Sequence, residues 1–389
     1  MSDDQTWRGN VGGMEWERAE RFLSGNAFAR VACIDDEGKP YVVPLWYTWD
    51  GEGFLLVIRE RARIARYMKN NPFGKEGDFI TAPMISNLFG EMLAIWCVSF
   101  WEYAGKPNKI LLVELGPGDG SLCKNLLKTF KQFKNFYNSL EINLLEISDK
   151  LKLIQKAKIN NKKVKWIKKI EELNCGPIIF LGNEFFDALP VKQIFIKKKL
   201  FFEKYVTLSS DSKKIKFLHK KANVNLVKDI QKLNLISVGN TIEYPIEAIK
   251  FLKEITKKIN KFDGCLLAFD YGYTVRKNQN TLQSIKRHRH VDLFYKPGHS
   301  DITSHLNFKL FYEVLKKNNL NVKKVINQNE FLKKMGILER ANILSQKMTF
   351  KTKANMFFRL KRLLDSKEMG ELFKVLFAQK KNKNFSLGF

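Results

Sequence analysis

An apolar run that ends in Gly116, Gly118 and Gly120 and passes straight into a helix-like stretch is the strongest chemical signal in the chain: ILLVELGPGDGSL, residues 110–122. Small residues at alternate positions let a backbone come close to a ligand at a helix N-terminus. The spacing is GxGxG, with Ser121 where the dinucleotide fingerprint has its last glycine. The next apolar run, INLLEISDKL, ends in Glu146, where a carboxylate can take both ribose hydroxyls of an adenosine. A tight turn and a solvated acid are the ordinary readings of each feature alone. Together they favour a nucleoside ligand.

A second cluster, NEFFDALP at 183–190, sets Asn183, Glu184 and Asp187 just after a further apolar run. Ligands of open α/β sheets bind outside the carboxyl ends of the strands, so these groups are expected to face the same crevice as the glycines. Four of the five histidines, His288, His290, His299 and His305, fall in KRHRHVDLFYKPGHSDITSH beside Asp292 and Asp301. Their spacing fits neither HExxH nor a facial triad. The segment reads as a polar loop, and no metal site is expected.

These residues need a parallel sheet to bring them together. From about 108 the chain alternates apolar strands with amphipathic helices, the pattern of a sheet with crossover connections. The candidate strands are 109–115, 141–147, 163–169, 177–183 and 264–272. Leu122, Leu126, Leu127, Phe130 and Phe133 lie on one expected helical face between the first two. Residues 191–240 carry β-rich, Lys-rich runs and read as an inserted or edge β element. MLAIWCVSF at 92–100 is about half the length that a bilayer needs, follows Glu91 directly, and reads as a buried helix. Upstream, ARVACID, PYVVPLWYTWD and GFLLVI form a meander of three short strands, followed by a basic stretch that stops at Pro72.

The formal charge of +28 is unevenly held. Residues 1–72 contain 8 Arg, 2 Lys and 11 acids, net −1; the other 317 contain 52 Lys, 6 Arg and 29 acids, net +29. The lysines are spread thinly and lack the aromatic interleaving of a single-strand binder, so a solvated surface is expected and nucleic acid is not the expected partner. Cys33, Cys97, Cys123, Cys175 and Cys265 stand far apart with no CxxC pair, which argues against a disulfide framework and a thiolate zinc site. MSDDQTW resembles neither a secretory signal nor an Arg-rich transit peptide, so the expected compartment is the cytoplasm.

Taken in order and spacing, GKEGDFITAP, ELGPGDG, NEFFDALP, FDYGY, PGHSDITSHLNF and MGELFK resemble the MidA family of class I S-adenosylmethionine-dependent methyltransferases, whose members include a mitochondrial protein-arginine methyltransferase that assists complex I assembly. The match runs from about Tyr67 to about Lys380. The resemblance implies an α/β fold, a Rossmann-like class I methyltransferase sheet with a β-rich insertion. It implies S-adenosylmethionine as cofactor, held by Gly116, Gly118, Gly120, Glu114 and Glu146, with Gly77, Asp78 and Thr81 on a segment folding over it. It places Asn183, Glu184 and Asp187 on the acceptor side, where carboxylates orient a guanidinium that stays protonated in water. A protein substrate follows, a respiratory-complex subunit being the candidate.

Residues 1–72 resemble instead the first half of a pyridoxamine-phosphate-oxidase-like FMN-binding split barrel, through ERFLS, the three strands and RERARIARYMKNNP. Arg59, Arg61 and Arg63 occupy the region where such proteins hold the flavin phosphate. The expected organisation is therefore a partial antiparallel split-barrel segment, 1–72, and a methyltransferase domain, 73–389. The swing from Arg to Lys and the replacement of the family's Gly-Tyr-Tyr by Ala65, Arg66 and Tyr67 suggest a fusion. The competing functions are a non-catalytic scaffold that keeps the fold, an FMN-dependent oxidoreductase, and a nucleic-acid methyltransferase. Against the last, NEFFDALP does not have the arrangement of an Asn or Asp, two prolines and a stacking aromatic expected of an enzyme that handles a flipped base.

Overall fold

The structure is a computed structural model describing residues 82–209, 215–233, 235, 241–275, 280–286, 289–294 and 300–389, with the backbone of 28–34, 40–49 and 54–56. The chain divides into two compact units, Met1–Pro72 and Phe73–Phe389. In the first, β1 (Phe28–Ile34), β2 (Pro40–Trp49) and β3 (Phe54–Leu56) form an antiparallel meander, with Phe28 opposite Trp46 and Tyr47 opposite Leu56.

In the second unit, α1 (Ala82–Ile85) and α2 (Asn87–Tyr103) lead into β4 (Ile110–Leu115), α3 (Ser121–Phe130), α4 (Lys134–Ser139), β5 (Leu140–Leu145), α5 (Asp149–Ile159), β6 (Val164–Ile167) and β7 (Ile178–Asn183). An insertion follows, built from β8 (Lys192–Lys197), β9 (Leu200–Leu208), β10 (Ile215–Lys221), α6 (Val224–Lys232) and β11 (Thr241–Tyr244). Then come α7 (Ile246–Phe262), β12 (Gly264–Tyr273), β13 (Gln283–Lys286), β14 (Arg289–Val291), β15 (Asp301–Thr303) and β16 (Leu306–Asn307). The chain continues through α8 (Phe308–Lys317), β17 (Leu320–Val322), β18 (Ile326–Asn327), α9 (Gln328–Lys334), α10 (Ile337–Ser345), α11 (Phe350–Leu364), α12 (Met369–Leu372) and β19 (Phe373–Lys380).

The main sheet has the order β17-β19-β12-β7-β4-β5-β6. From β12 to β6 every neighbouring pair is parallel, while β19 runs antiparallel to both β12 and β17. Every residue of β4 is buried, as are nine of the ten in β12, because helices cover both faces. One face packs on α2, α3 and the helices α9–α11. The other packs on α7 and α8. In α7 the buried Ala248, Ile249, Leu252, Ile255, Thr256 and Ile259 recur three and four apart, which gives that helix a single apolar stripe.

The strands expected from sequence are all present, and 92–100 is a buried part of α2. One expected face is shorter than its spacing suggested. Leu122, Leu126, Leu127 and Phe130 are buried along α3, but that helix ends at Phe130 and Phe133 caps the start of α4. The β-rich insertion forms its own antiparallel sheet, β10-β9-β8-β11. What matters for the site is the direction of travel: β4, β5 and β6 are laid down to one side, and β7 and β12 to the other. The loops after β4 and β7 therefore diverge and open a crevice at the carboxyl edge.

Candidate active site

The loop after β4 turns through three left-handed glycines, with φ of 61° at Gly116, 55° at Gly118 and 80° at Gly120. A side chain at Gly116 would place its Cβ 2.9 Å from the Phe185 ring, and one at Gly120 would come within 3.1 Å of Ile159. Gly120 caps α3, so the backbone enters the helix with its N-terminus facing the crevice. Asp119 is held at the same turn: it accepts from Ser121 N–H at 3.0 Å and Ser121 Oγ at 2.9 Å and pairs with Lys158. Burial works against its charge, but Lys158 and Ser121 hold its carboxyl below the usual range.

Glu114, next to the end of β4, is 3% exposed, and its Oε2 has no hydrogen-bond partner among the described residues. Burial, with the charge of Asp119 adding to it, pushes this carboxyl up to about 8. Glu146, just past β5, is also buried. Its Oε1 accepts from Ser148 N–H at 2.8 Å and its Oε2 from Gln155 Nε2 at 3.0 Å. Gln155 lies outside every motif. It also donates to Gly118 O at 2.7 Å and accepts from Trp166 Nε1 at 2.8 Å.

Across the crevice the chain leaves β7 through Glu184 at φ 51°, a left-handed backbone that non-glycine residues adopt rarely, pinned by Glu184 N–H on Phe269 O at 2.9 Å. Its Oε1 accepts from Asn183 Nδ2 at 3.0 Å and from Ala82 N–H at 3.4 Å. Burial and then the nearby Asp187 push Glu184 up to about 8. Asn183 Oδ1 is buried with no partner among the described residues. Asp187 Oδ2 accepts from Tyr271 O–H at 2.6 Å, and the Tyr271 hydroxyl also meets Thr303 Oγ1. The His305 ring stands edge-on to Tyr271 at 5.6 Å.

Sequence reasoning missed the residue at the centre of this half. Asp270, fully buried on β12, accepts from Phe186 N–H at 3.0 Å and Asp187 N–H at 3.3 Å through Oδ2, and from Tyr271 N–H at 3.0 Å through Oδ1. Burial raises its carboxyl well above the ordinary range, with Asp187 and Glu184 adding to the effect. Its signal was an acid inside the otherwise apolar strand GCLLAFDYG. Three carboxylates thus share one corner, the surroundings of a ligand cation.

The structure brings Glu114, Gly116, Gly118, Gly120 and Glu146 to one lip of the crevice and Asn183, Glu184 and Asp187 to the other, with the Phe185 ring against Gly116 between them. Gly77, Asp78 and Thr81 lie outside the described residues, as do Arg59, Arg61, Arg63, His288 and His299. Among the described residues no group of three or more His, Cys, Asp or Glu side chains could hold a metal ion, and no helix is long and apolar enough to cross a membrane. The glycine lip fits a nucleoside with a cationic tail: close-approach backbone, an acid at the next strand tip with lone pairs to spare, and a buried carboxyl oxygen without a partner.

Comparison with known proteins agrees with this geometry. Residues 92–326 match the family described as "Putative S-adenosyl-L-methionine-dependent methyltransferase". The chain is 30% identical over 334 residues to Protein arginine methyltransferase NDUFAF7, mitochondrial, of Danio rerio, covering 79% of this chain and 78% of that protein. It is 28% identical over 388 residues to the Homo sapiens protein of the same name, covering 92% and 86%. A Burkholderia thailandensis structure with S-adenosyl-homocysteine bound shares the fold at a TM-score of 0.69 and 23% identity, over 82% of this chain and 84% of that one.

Two expectations change. Both of these curated relatives are mitochondrial, which overturns the cytoplasmic compartment. That expectation rested on the composition of MSDDQTW, which reports on an address at one end and not on the domain that follows. A fused origin finds no support in the comparisons, and the human match is too long to be confined to residues 73–389. With the family model spanning 235 of the 389 residues, the chain belongs to this family of S-adenosyl-L-methionine-dependent methyltransferases.

Proposed function

We propose that the chain methylates an arginine side chain of a protein and that residues 73–389 form the methyltransferase domain, with residues 1–72 a split-barrel-like segment. The observation that carries the substrate is the trio of acids Glu184, Asp187 and Asp270: Asp270 accepts from the Phe186 and Asp187 N–H groups, Tyr271 donates to Asp187, and the charges of Asp187 and Glu184 act on Asp270. Like charges held this close resist ionising together, and a bound guanidinium relieves them. The names of the curated relatives point the same way. A respiratory-complex subunit is the proposed substrate, carried from the family resemblance.

Gly116, Gly118, Gly120, Glu114 and Glu146 are assigned to the cofactor, with Gly77, Asp78 and Thr81 as the covering segment. When bound, S-adenosylmethionine supplies a methyl group on a positively charged sulfur. The protein's part is alignment: Glu184 and Asp187 grip the guanidinium in two places, and Asn183 holds Glu184 in its rotamer. As one guanidinium nitrogen takes the methyl group it must give up a proton, and in this reading Asp187 receives it. Tyr271 fixes Asp187 for this task.

The test is to incubate the purified chain with methyl-labelled cofactor and a lysate of its own host, then map the label by mass spectrometry. Label on arginine is expected, falling ~100-fold or more in Asp187→Asn, the range for removing a positioned base. Label confined to lysine, or to nucleic acid, would overturn the reading.

A further inference from the structure

Gln155 occupies the buried face of α5, fully shielded from solvent. Its side-chain amide reaches three elements at once: the glycine loop through Gly118 O, the tip of β5 through Glu146 Oε2, and β6 through Trp166 Nε1. The orientation of that amide is not free. An indole N–H can only donate, so the amide oxygen must face Trp166 and the NH2 group must face Gly118 and Glu146. The flipped amide would set N–H against N–H and an oxygen against a carboxylate.

The consequence falls on Glu146. A carboxylate offers about four lone-pair positions. Gln155 takes one on Oε2 and the Ser148 N–H takes one on Oε1. Among the described residues no other group donates to either oxygen, so one acceptor position remains on each, and rotation of the group is blocked at both. Two adjacent acceptors on an immobilised carboxylate match a pair of neighbouring hydroxyls.

We infer that Gln155 is a positioning residue that locks the Glu146 carboxylate for bidentate recognition of a vicinal diol and couples that acid to the glycine loop through Gly118. The inference rests on the reading of Glu146 as the ribose ligand. Gln155 touches no ligand atom in this scheme; it acts through Glu146 and Gly118. A buried glutamine that only satisfies its own amide would stabilise the fold and leave ligand discrimination untouched.

The experiment measures binding of S-adenosylhomocysteine and of its 2′,3′-dideoxy analogue to the full chain by calorimetry, alongside thermal unfolding. The wild type is expected to prefer the diol by ~100-fold or more, the effect of two hydrogen bonds to a charged group. In Gln155→Leu that preference should fall to ~10-fold or less. Trp166→Phe keeps the glutamine but frees its oxygen, and should give an intermediate preference. A folded Gln155→Leu protein with wild-type preference overturns the lock alone. If Gln155→Leu fails to fold, an unchanged preference in Trp166→Phe overturns it. A wild type that binds both compounds equally overturns the ribose reading of Glu146, and the inference with it.

Discussion

Replacing Glu114 by glutamine should make the protein more stable and its cofactor binding weaker. The side chain keeps its size but can no longer ionise. In the folded protein burial holds the carboxyl at about 8, against an ordinary value of 4.5. A carboxyl whose folded pKa is raised contributes most below its unfolded pKa, and stability is lost as pH rises towards the folded value. At pH 7 the folded chain keeps a proton that the unfolded chain has released, a penalty of ~3 kcal/mol at 1.36 kcal/mol per unit. The same arithmetic gives ~1 kcal/mol at pH 5 and ~4 kcal/mol at pH 8, levelling off above. Glu114→Gln escapes this penalty. Its denaturation midpoint should match the wild type's at pH 4.5 and exceed it by ~4 °C at pH 7. Calorimetric titration should meanwhile show weaker S-adenosylmethionine binding, since the buried oxygen that awaits a cationic group is gone. An advantage that is the same at pH 4.5 and pH 8, or a variant less stable at pH 7, would refute the burial argument.

Four other outcomes are expected. Glu184 also stands near 8, so a guanidinium that draws it into ionised form should expel a proton; below pH 8 peptide affinity should rise with pH, and titrations in buffers of different ionisation heat should show the release. Asp270→Ala strips the acceptor from three N–H groups, two of them buried, and should lower stability by ~3 kcal/mol or more, measured by urea unfolding. Tyr271→Phe keeps the ring against His305 and Phe373 but removes the donor to Asp187; single-turnover rates should fall ~10-fold with cofactor affinity unchanged. Gly120→Ala forces a side chain into φ 80° against Ile159 and should reduce stability by ~1–2 kcal/mol, with looser cofactor binding in the same titration.

Much of the architecture was legible because strands buried on both faces are apolar almost throughout, so β4, β7 and β12 announce themselves as apolar runs interrupted only near their ends. The glycine loop was legible because left-handed turns select glycine, and Glu146 because it follows the next such run. Asp270 and Gln155 were hidden for a shared reason. Each is a polar residue on a buried face, and its role becomes visible only through partners distant in sequence, Phe186 for one and Gly118 for the other. A polar residue on an otherwise apolar stripe, as Gln155 is four residues before Ile159, is the signal that would find more of them. β19 was missed because its apolar run is interrupted by Lys374 and Gln379 and its antiparallel place in the sheet depends on neighbours more than fifty residues away. Phe133 shows the opposite failure, a periodicity that outran its helix.

The placement of β19 between β12 and β17 also says something about how the molecule is made. Before residues 373–380 are in place, β17 has no neighbour in the main sheet and Cys265–Tyr271 of β12 lack the partner that β19 supplies. Only when residues 373–380 emerge can that gap be filled. Until then the nascent domain presents an apolar, unpaired strand edge directly beside the acidic corner, the kind of surface that chaperones recognise. Asp270 itself stands opposite Lys374 in that register, so the strand that carries the acidic corner is fully paired only when β19 joins it.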